Sequence, residues 1–138
     1  MNMKNNSKYW QNYKKTINNL PLKLFDIAIG CMLGDACMYK ISKNSKIKFE
    51  QGYKHKEYLY HLFNLFKDYT FQDEPYIRYE IRKDLIKSFS FRTFTHPTFN
   101  SIWELYMKNG EKRIESNLIR NYLSPIGLAY WIMDDGSL

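Results

Sequence analysis

The sequence predicts an α+β domain in which a four-stranded antiparallel sheet packs against apolar helices. Two apolar segments of helical length lie near the two ends of the chain, and three short segments between them alternate apolar and polar residues. With one further strand they form two predicted hairpins, and a segment with helical spacing separates the first hairpin from the second. The predicted order is therefore helix, strand, strand, helix, strand, strand and three further helices, and 138 residues suffice for one such domain.

The first apolar segment, LFDIAIGCMLGDACM, predicts a buried helix from residue 24 to about residue 38, because apolar residues occupy nearly all of its sides. Gly30 and Gly34 are four residues apart and share a face of this helix. Each glycine costs a helix about 1 kcal/mol relative to alanine. We therefore expect Gly30 and Gly34 to be packing positions at which the backbone of a second helix comes close.

The four predicted strands form two hairpins with one polar and partly basic face. In KIKFEQ, Lys46 and Lys48 alternate with Ile47 and Phe49, which is the pattern of a half-buried strand. YIRYEIR and IKSFSFRTF alternate in the same way around a short connection. A twisted antiparallel ribbon fits the major groove of double-stranded DNA, so we predict that this face contacts nucleic acid. The candidate contact residues are Lys46, Lys48, Arg78, Arg82 and Arg92.

The last third of the chain predicts three helices. Pro97 suits the first turn of a helix that Asn109 and Gly110 end. ESNLIRNYL predicts a short second helix. Ser124 and Pro125 form a favourable start for the final apolar helix.

The composition is basic: 21 Lys and Arg residues outweigh 14 Asp and Glu residues, which gives a net charge of +7. This charge suits a polyanionic partner. The first 23 residues contain five lysines and no acidic residue, and they predict a basic N-terminal arm ahead of a domain of residues 24–138.

No segment has the roughly 18 unbroken apolar residues of a membrane span, so we expect no membrane partner. Abundant Lys, Asn, Ile, Phe and Tyr, whose codons are AT-rich, favour an organellar genome.

Two aspartates occupy matched positions at the ends of apolar helices. Asp35 is the eighth residue of AIGCMLGDA, and Asp135 is the eighth residue of LAYWIMDDG. A carboxylate at a helix C-terminus is unfavourable, which predicts a compensating cation. If the two helices pack side by side through the glycines, the two carboxylates meet at one end of the pair. They would then bind a hard divalent cation such as Mg²⁺, which supports phosphodiester cleavage.

These segments resemble the two signature helices of LAGLIDADG homing endonucleases. The stretches KFEQGYKHKEYL, FSFRTFTHPTFNSIWELY and NLIRNYLSPIGLAYWIMDDG are most similar to the mitochondrial intron-encoded, single-chain type. The resemblance extends from about residue 22 to residue 136. It implies the family's half-fold, α-β-β-α-β-β-α, followed by a second signature helix.

The resemblance also implies an activity and a set of site residues. The family cleaves long specific sites in double-stranded DNA with divalent metal held by the signature aspartates, here Asp35 and Asp135. The carbonyl groups of Gly34 and Asp134 are expected to face the metal as well. Lys112 matches the lysine that family members place near the reacting phosphate. In the second signature helix, Tyr130 and Asp134 are the expected counterparts of Gly30 and Gly34.

The resemblance leaves the working form of the protein open. Single-chain members continue past the second signature into a second strand–helix core, whereas three residues follow Asp135 here. One expectation is a split endonuclease, in which a second protein chain supplies the other half. Another is a relative that no longer cleaves and binds RNA, as an intron-splicing factor or in an organellar ribonucleoprotein such as the mitoribosome. A fragment without independent activity and a homodimer are further alternatives. In each case a mitochondrial location is expected.

Overall fold

The computed structural model describes residues 8–82 and 84–135, except for the side chain of Asp135. The helices are α1 (Lys8–Thr16), α2 (Leu22–Leu33), α3 (Lys56–Leu65), α4 (Asn100–Tyr106), α5 (Ser116–Tyr122) and α6 (Pro125–Asp135). The strands are β1 (Cys37–Ile41), β2 (Asn44–Gly52), β3 (Tyr76–Tyr79), β4 (Ile86–Arg92), β5 (Met107–Lys108) and β6 (Glu111–Lys112). The predicted α+β class with a four-stranded antiparallel sheet is confirmed.

The four-stranded sheet has the order β1-β2-β4-β3, and all neighbouring strands are antiparallel. Its inner face carries the apolar residues of the predicted alternation, and the stacked rings of Phe49 and Phe91 lie 4.7 Å apart at its centre. Leu59, Leu62 and Phe63 of α3 are buried in the same core. The charged residues that alternate with them in β2, Lys46, Lys48 and Glu50, lie on the opposite, outer face, whereas Gln51 shares the buried face.

Helix α2 is the most buried helix of the described chain, with seven consecutive buried residues from Ile27 to Leu33. It ends earlier than the sequence predicts. Gly34 and Asp35 form a turn, and β1 begins at Cys37, because the residues that follow the turn pair with β2. The turn places Asp35 at the junction between the buried helix and the sheet.

The sequence predicts that Asn109 and Gly110 end a helix, and this prediction is wrong. Helix α4 already ends at Tyr106, and Asn109 and Gly110 connect β5 to β6 in a tight hairpin. Both residues have positive φ angles, 53° and 80°, which is the backbone of a type I′ turn. The hairpin turns the chain back, so that Lys112 points toward the end of α2.

Part of the predicted basic arm forms α1, which packs on the domain. The ring of Trp10 lies 4.9 Å from that of Phe71, and the Tyr13 hydroxyl donates a 2.8 Å hydrogen bond to the Asp68 carbonyl. Residues 1–7 of the predicted arm lie outside the described residues. None of the helices in the described ranges is long and apolar enough to cross a membrane.

Candidate active site and nucleic-acid interface

Helices α2 and α6 pack in parallel through small residues. A Cβ atom added to Gly30 would collide with the carbonyl group of Gly127, and one added to Gly34 would collide with the Asp134 carboxylate. Gly30 and Gly34 are therefore packing positions at which the second helix comes close. The expected counterpart of Gly30 is corrected: it is Gly127, whereas Tyr130 turns toward α3 and stacks on His61 with 5.7 Å between the ring centroids.

The C-terminal ends of the two helices meet at a buried carboxylate. Asp134 is only 3% exposed, and its Oδ2 accepts a short hydrogen bond from the backbone N–H of Asp35. Its Oδ1 accepts hydrogen bonds from Gln51 Nε2 at 3.0 Å and from the Tyr58 hydroxyl at 3.1 Å. Asp134 thus joins the end of α6 to the turn after α2, to β2 and to α3.

Burial dominates the titration of this carboxyl group. Loss of solvent raises the pKa of Asp134 to about 6, although the bond from Asp35 N–H and the Tyr58 hydroxyl favour the ionised form. Burial also raises the pKa of the Tyr58 hydroxyl, and the neighbouring Cys31 and Asp134 add to that shift. Tyr58 therefore remains a hydrogen-bond donor to Asp134 over the whole physiological pH range.

The two signature aspartates end up at the same end of the helix pair. Asp35 is exposed, and its carboxylate forms no hydrogen bond or ion pair with other residues of the described ranges. Asp135 is the last residue of α6, directly after Asp134; its side chain lies outside the described part of the chain. Within the described residues, no three His, Cys, Asp or Glu residues cluster as a metal site.

The donors at this end fit a hard divalent cation. Carboxylate and carbonyl oxygens are the ligands that such ions prefer, and Asp35 presents a free carboxylate beside the Gly34 carbonyl. The Asp134 carboxylate is buried and already accepts three hydrogen bonds, so the backbone carbonyl of this residue is the candidate ligand.

Lys112 lies beside the turn that carries Asp35. Its Nζ donates 2.8 Å hydrogen bonds to the carbonyl groups of Gly34 and Ala36, one on each side of Asp35. Burial lowers the pKa of the Lys112 ammonium below its usual value, although the nearby Asp134 and Asp35 act in the opposite direction. The sequence pattern that selected Lys112 thus led to a half-buried ammonium at the end of the helix pair.

The outer face of the sheet carries four of the five predicted nucleic-acid contacts. Lys48 is opposite Arg92 across β2 and β4, and Lys46 and Arg78 lie on the same face. Arg82 is different, because β3 ends at Tyr79 after an irregularity in the pairing, and Arg82 lies in the exposed connection to β4.

Glu50 organises the outer face, a role that the sequence analysis did not assign. Its carboxylate lies 3.4 Å from Lys48 and 3.2 Å from Arg78, and it accepts a 2.6 Å hydrogen bond from Ser88. Burial alone would raise the pKa of Glu50, but the Ser88 hydroxyl and the two cations hold it below the usual value. The sequence could have predicted this role, because the alternation of β2 places Glu50 on the same face as Lys48.

A family model described as the LAGLIDADG DNA endonuclease family matches residues 25–138. The chain belongs to this family. Among curated relatives of this LAGLIDADG protein, "Probable intron-encoded endonuclease 1" of Wickerhamomyces canadensis is 32% identical over 134 residues, which cover 95% of the chain and 57% of the relative. "Cytochrome b mRNA maturase bI2" of Saccharomyces cerevisiae is 36% identical over 151 residues, covering 96% of the chain and 36% of the relative.

The fold of this LAGLIDADG chain is also similar to a solved structure, "The homing endonuclease I-WcaI bound to its DNA recognition sequence". The TM-score is 0.82 at 30% sequence identity, and the match covers 96% of the chain and 59% of the I-WcaI chain. The chain therefore spans only part of the length of the curated relatives and of the structure that it matches.

Proposed function

We propose that this chain is one half of a site-specific double-stranded DNA endonuclease that hydrolyses phosphodiester bonds with a divalent metal ion. The observation that carries the proposal is the meeting of the ends of α2 and α6, where Asp134 binds the backbone of Asp35 and Lys112 flanks the same turn. Family membership supports the same activity.

Asp35 and Asp135 would hold the ion, Mg²⁺, together with the backbone carbonyls of Gly34 and Asp134. A bound ion would supply a Lewis acid and an activated water at the reacting phosphate. The Gly34 carbonyl accepts from Lys112, and its second lone pair is available to a cation. The Lys112 ammonium would bind an oxygen of the reacting phosphate, since it lies beside the same carbonyl groups.

The outer face of the sheet would bind the duplex. Lysines at this face position the phosphates, and arginines can bind guanine edges in the major groove. Lys46, Lys48, Arg78 and Arg92 supply these groups from the sheet, and Arg82 extends them into the exposed loop. The match to a homing endonuclease bound to its DNA supports this assignment.

A second DNA-binding unit, from the same polypeptide or from another chain, would complete the endonuclease. The relatives and I-WcaI are longer than the matched region, which supports a second unit. Relatives that are intron-encoded endonucleases and cytochrome b mRNA maturases support an organellar, mitochondrial location. If the two halves are separate chains, the protein is a split endonuclease.

RNA binding in intron splicing is the second candidate function. Two relatives named "Cytochrome b mRNA maturase bI2", from Saccharomyces cerevisiae and Debaryomyces hansenii, favour it at 36% and 34% identity. A basic sheet can bind the phosphates of RNA as well as those of DNA.

The two functions predict different responses to one substitution. The chain, alone and with a candidate second half, is incubated with Mg²⁺ and a plasmid library of random inserts, and cut molecules are sequenced. Endonuclease activity predicts recurrent cuts that Asp35→Asn abolishes and that Glu104→Gln, which changes an exposed acid on α4, leaves intact. Tight, metal-independent RNA binding that Asp35→Asn does not change, without any cutting, would favour the maturase function and contradict the proposal.

A further inference from the structure

A cavity of about 710 Å³ lies at the end of the sheet away from Asp35. Its walls come from α1, from the loop before β3 and from residues at the ends of β1 and β4. Three cationic residues line it, Lys14 from α1, Lys46 from β2 and Arg92 from β4. Gln51 of β2 binds Asp134 at the candidate cleavage centre. Lys46 lies about 17 Å from Gln51 along the same strand, so the cavity is separate from that centre.

The structure holds the ammonium group of Lys14 in place. Its Nζ donates a 3.1 Å hydrogen bond to Thr95 Oγ1 and lies 5.5 Å from the ring centroid of Phe94 and 6.0 Å from that of Phe71. Helix α1 is itself anchored by the contacts of Trp10 and Tyr13 with the domain. Lys14 is therefore a fixed wall of the cavity rather than a freely moving surface lysine.

Within the part of the chain that the structure describes, the three cations lack a carboxylate partner. The ion pairs within residues 8–82 and 84–135 join Lys48 and Arg78 to Glu50, and none includes Lys14, Lys46 or Arg92. Burial lowers the pKa of Lys14 and of Lys46, and repulsion from the next cation, Lys46 and Arg92 respectively, lowers each further. Two exposed acidic residues, Asp73 and Glu74, also line the cavity on the loop before β3.

We propose that Lys14, Lys46 and Arg92 form a binding site for a backbone phosphate of a bound duplex, apart from the phosphate that is cleaved. The inference rests on the proposed function, because it requires a duplex across the outer face of the sheet. Lys46 and Arg92 belong to that face, and Lys14 adds a cation from outside the sheet. Helix α1 thereby extends the nucleic-acid surface beyond the four strands.

The test compares two neighbouring lysines of α1. Lys14 lines the cavity, whereas Lys15 is exposed and does not, so Lys14→Gln and Lys15→Gln change the net charge equally. Binding of each variant to a mixed-sequence duplex of about three helical turns is measured over a range of salt concentrations without divalent ions, so that cleavage plays no part. Lys14→Arg retains the charge, and circular dichroism checks that every variant is folded.

The proposal predicts that Lys14→Gln lowers the slope of log affinity against log salt by about 0.9, the value for one phosphate contact, and that Lys15→Gln and Lys14→Arg keep the wild-type slope. Equal slopes for Lys14→Gln and Lys15→Gln would overturn it. A folded wild-type chain without duplex binding would contradict the proposed function and this inference together. If inorganic phosphate at constant ionic strength raised the wild-type melting temperature more than that of Lys14→Gln while the duplex slopes were equal, the site would bind the free ion and the backbone assignment would be overturned.

Discussion

Asp134 shows how one residue can determine the geometry of a site without belonging to the predicted reacting groups. Its buried carboxylate accepts from Asp35, Gln51 and Tyr58, which lie in three different segments of the chain. The sequence analysis expected the second of the two adjacent aspartates, Asp135, to hold metal through its carboxylate. For Asp134 it expected a carbonyl that faces the metal and a packing position opposite Gly34, and the Asp134 carboxylate does lie against Gly34. The three hydrogen bonds of this carboxylate could not be predicted, because they depend on how β2 and α3 pack beside α6.

Removing one donor to Asp134 should destabilise the domain. Tyr58→Phe deletes the hydroxyl that donates to Oδ1, and we expect the free energy of unfolding in urea to fall by about 1.5–3 kcal/mol at pH 7, as for hydrogen bonds to charged groups. Tyr60→Phe, on the same helix, is the matched control, because the Tyr60 ring packs edge-on against Phe89. Equal losses for the two variants would contradict the role assigned to the Tyr58 hydroxyl.

His96 makes stability depend on pH. Its Nδ1 accepts a 3.0 Å hydrogen bond from the Thr98 N–H. Burial lowers the pKa of His96 below the usual 6.5, and repulsion from the Lys14 ammonium adds to this, whereas hydrogen bonds to the backbone of Lys14 and Ile17 oppose it. At His96 the unfolded chain therefore binds the proton more readily, so this residue lowers the free energy of unfolding as the pH decreases through 6.5. Asp134, whose pKa is raised to about 6, contributes in the opposite direction in the same range.

His96→Asn retains a capping acceptor and cannot titrate in this range. When the pH is lowered from 7.5 to 5.5, thermal unfolding should show that the wild-type chain loses more stability than the variant does, because the opposite contribution of Asp134 is common to both. An unchanged pH profile would show that His96 does not contribute to it.

At the level of elements, the sequence predicted the strands and the apolar helices well. Period-two alternation in β2 and β4 placed the apolar residues on the correct face, because Ile47 and Phe49 of β2 and Phe89 and Phe91 of β4 all lie in the core. The β5–β6 hairpin was not predicted, because strands of two residues have no periodicity. Asn109-Gly110 was the available signal, since this pair is typical of tight hairpin turns. The partner of Gly30 could have been found from Gly127 and Asp134, which are seven residues apart and share a face of α6.

The helix pair depends on the absence of a side chain at Gly30. Gly30→Ala would place a methyl group against the Gly127 carbonyl, and we expect a loss of about 1–3 kcal/mol in the free energy of unfolding, as for overpacked cores. Gly52→Ala is the control, because a Cβ atom there meets no atom within 4 Å. It should change stability by about 0.5 kcal/mol or less. A stable Gly30→Ala variant would contradict the close packing of α2 and α6.

For the whole molecule, the net charge of +7 is less informative than its arrangement. On the outer face, Glu50 pairs with Lys48 and Arg78, whereas Lys46 and Arg92 have no such partner in the described ranges. Part of the positive charge available to a polyanion is thus neutralised before binding. Composition alone could not predict this, because it counts charges without showing which of them are adjacent.

Replacing the acid on this face should strengthen general DNA binding. Glu50→Gln frees Lys48 and Arg78 for phosphates, and we expect affinity for mixed-sequence duplex to rise by about tenfold or less at low salt, with a steeper salt dependence. Glu104→Gln changes the net charge equally on α4, and its affinity should remain close to that of the wild-type chain. Identical increases for both variants would mean that total charge, and not its arrangement on the sheet, controls binding.

The measurement that tests the central claim most directly is a Mn²⁺ titration of the chain, followed by water-proton relaxation and reversed by Mg²⁺. Because the ends of α2 and α6 meet beside Asp35, we predict a saturable site that Asp35→Asn and Asp135→Asn each weaken by about tenfold or more and that Glu104→Gln leaves unchanged. Saturable binding of equal strength in Asp35→Asn and the wild-type chain, or no saturable binding at all, would contradict a divalent-metal centre at the end of this helix pair.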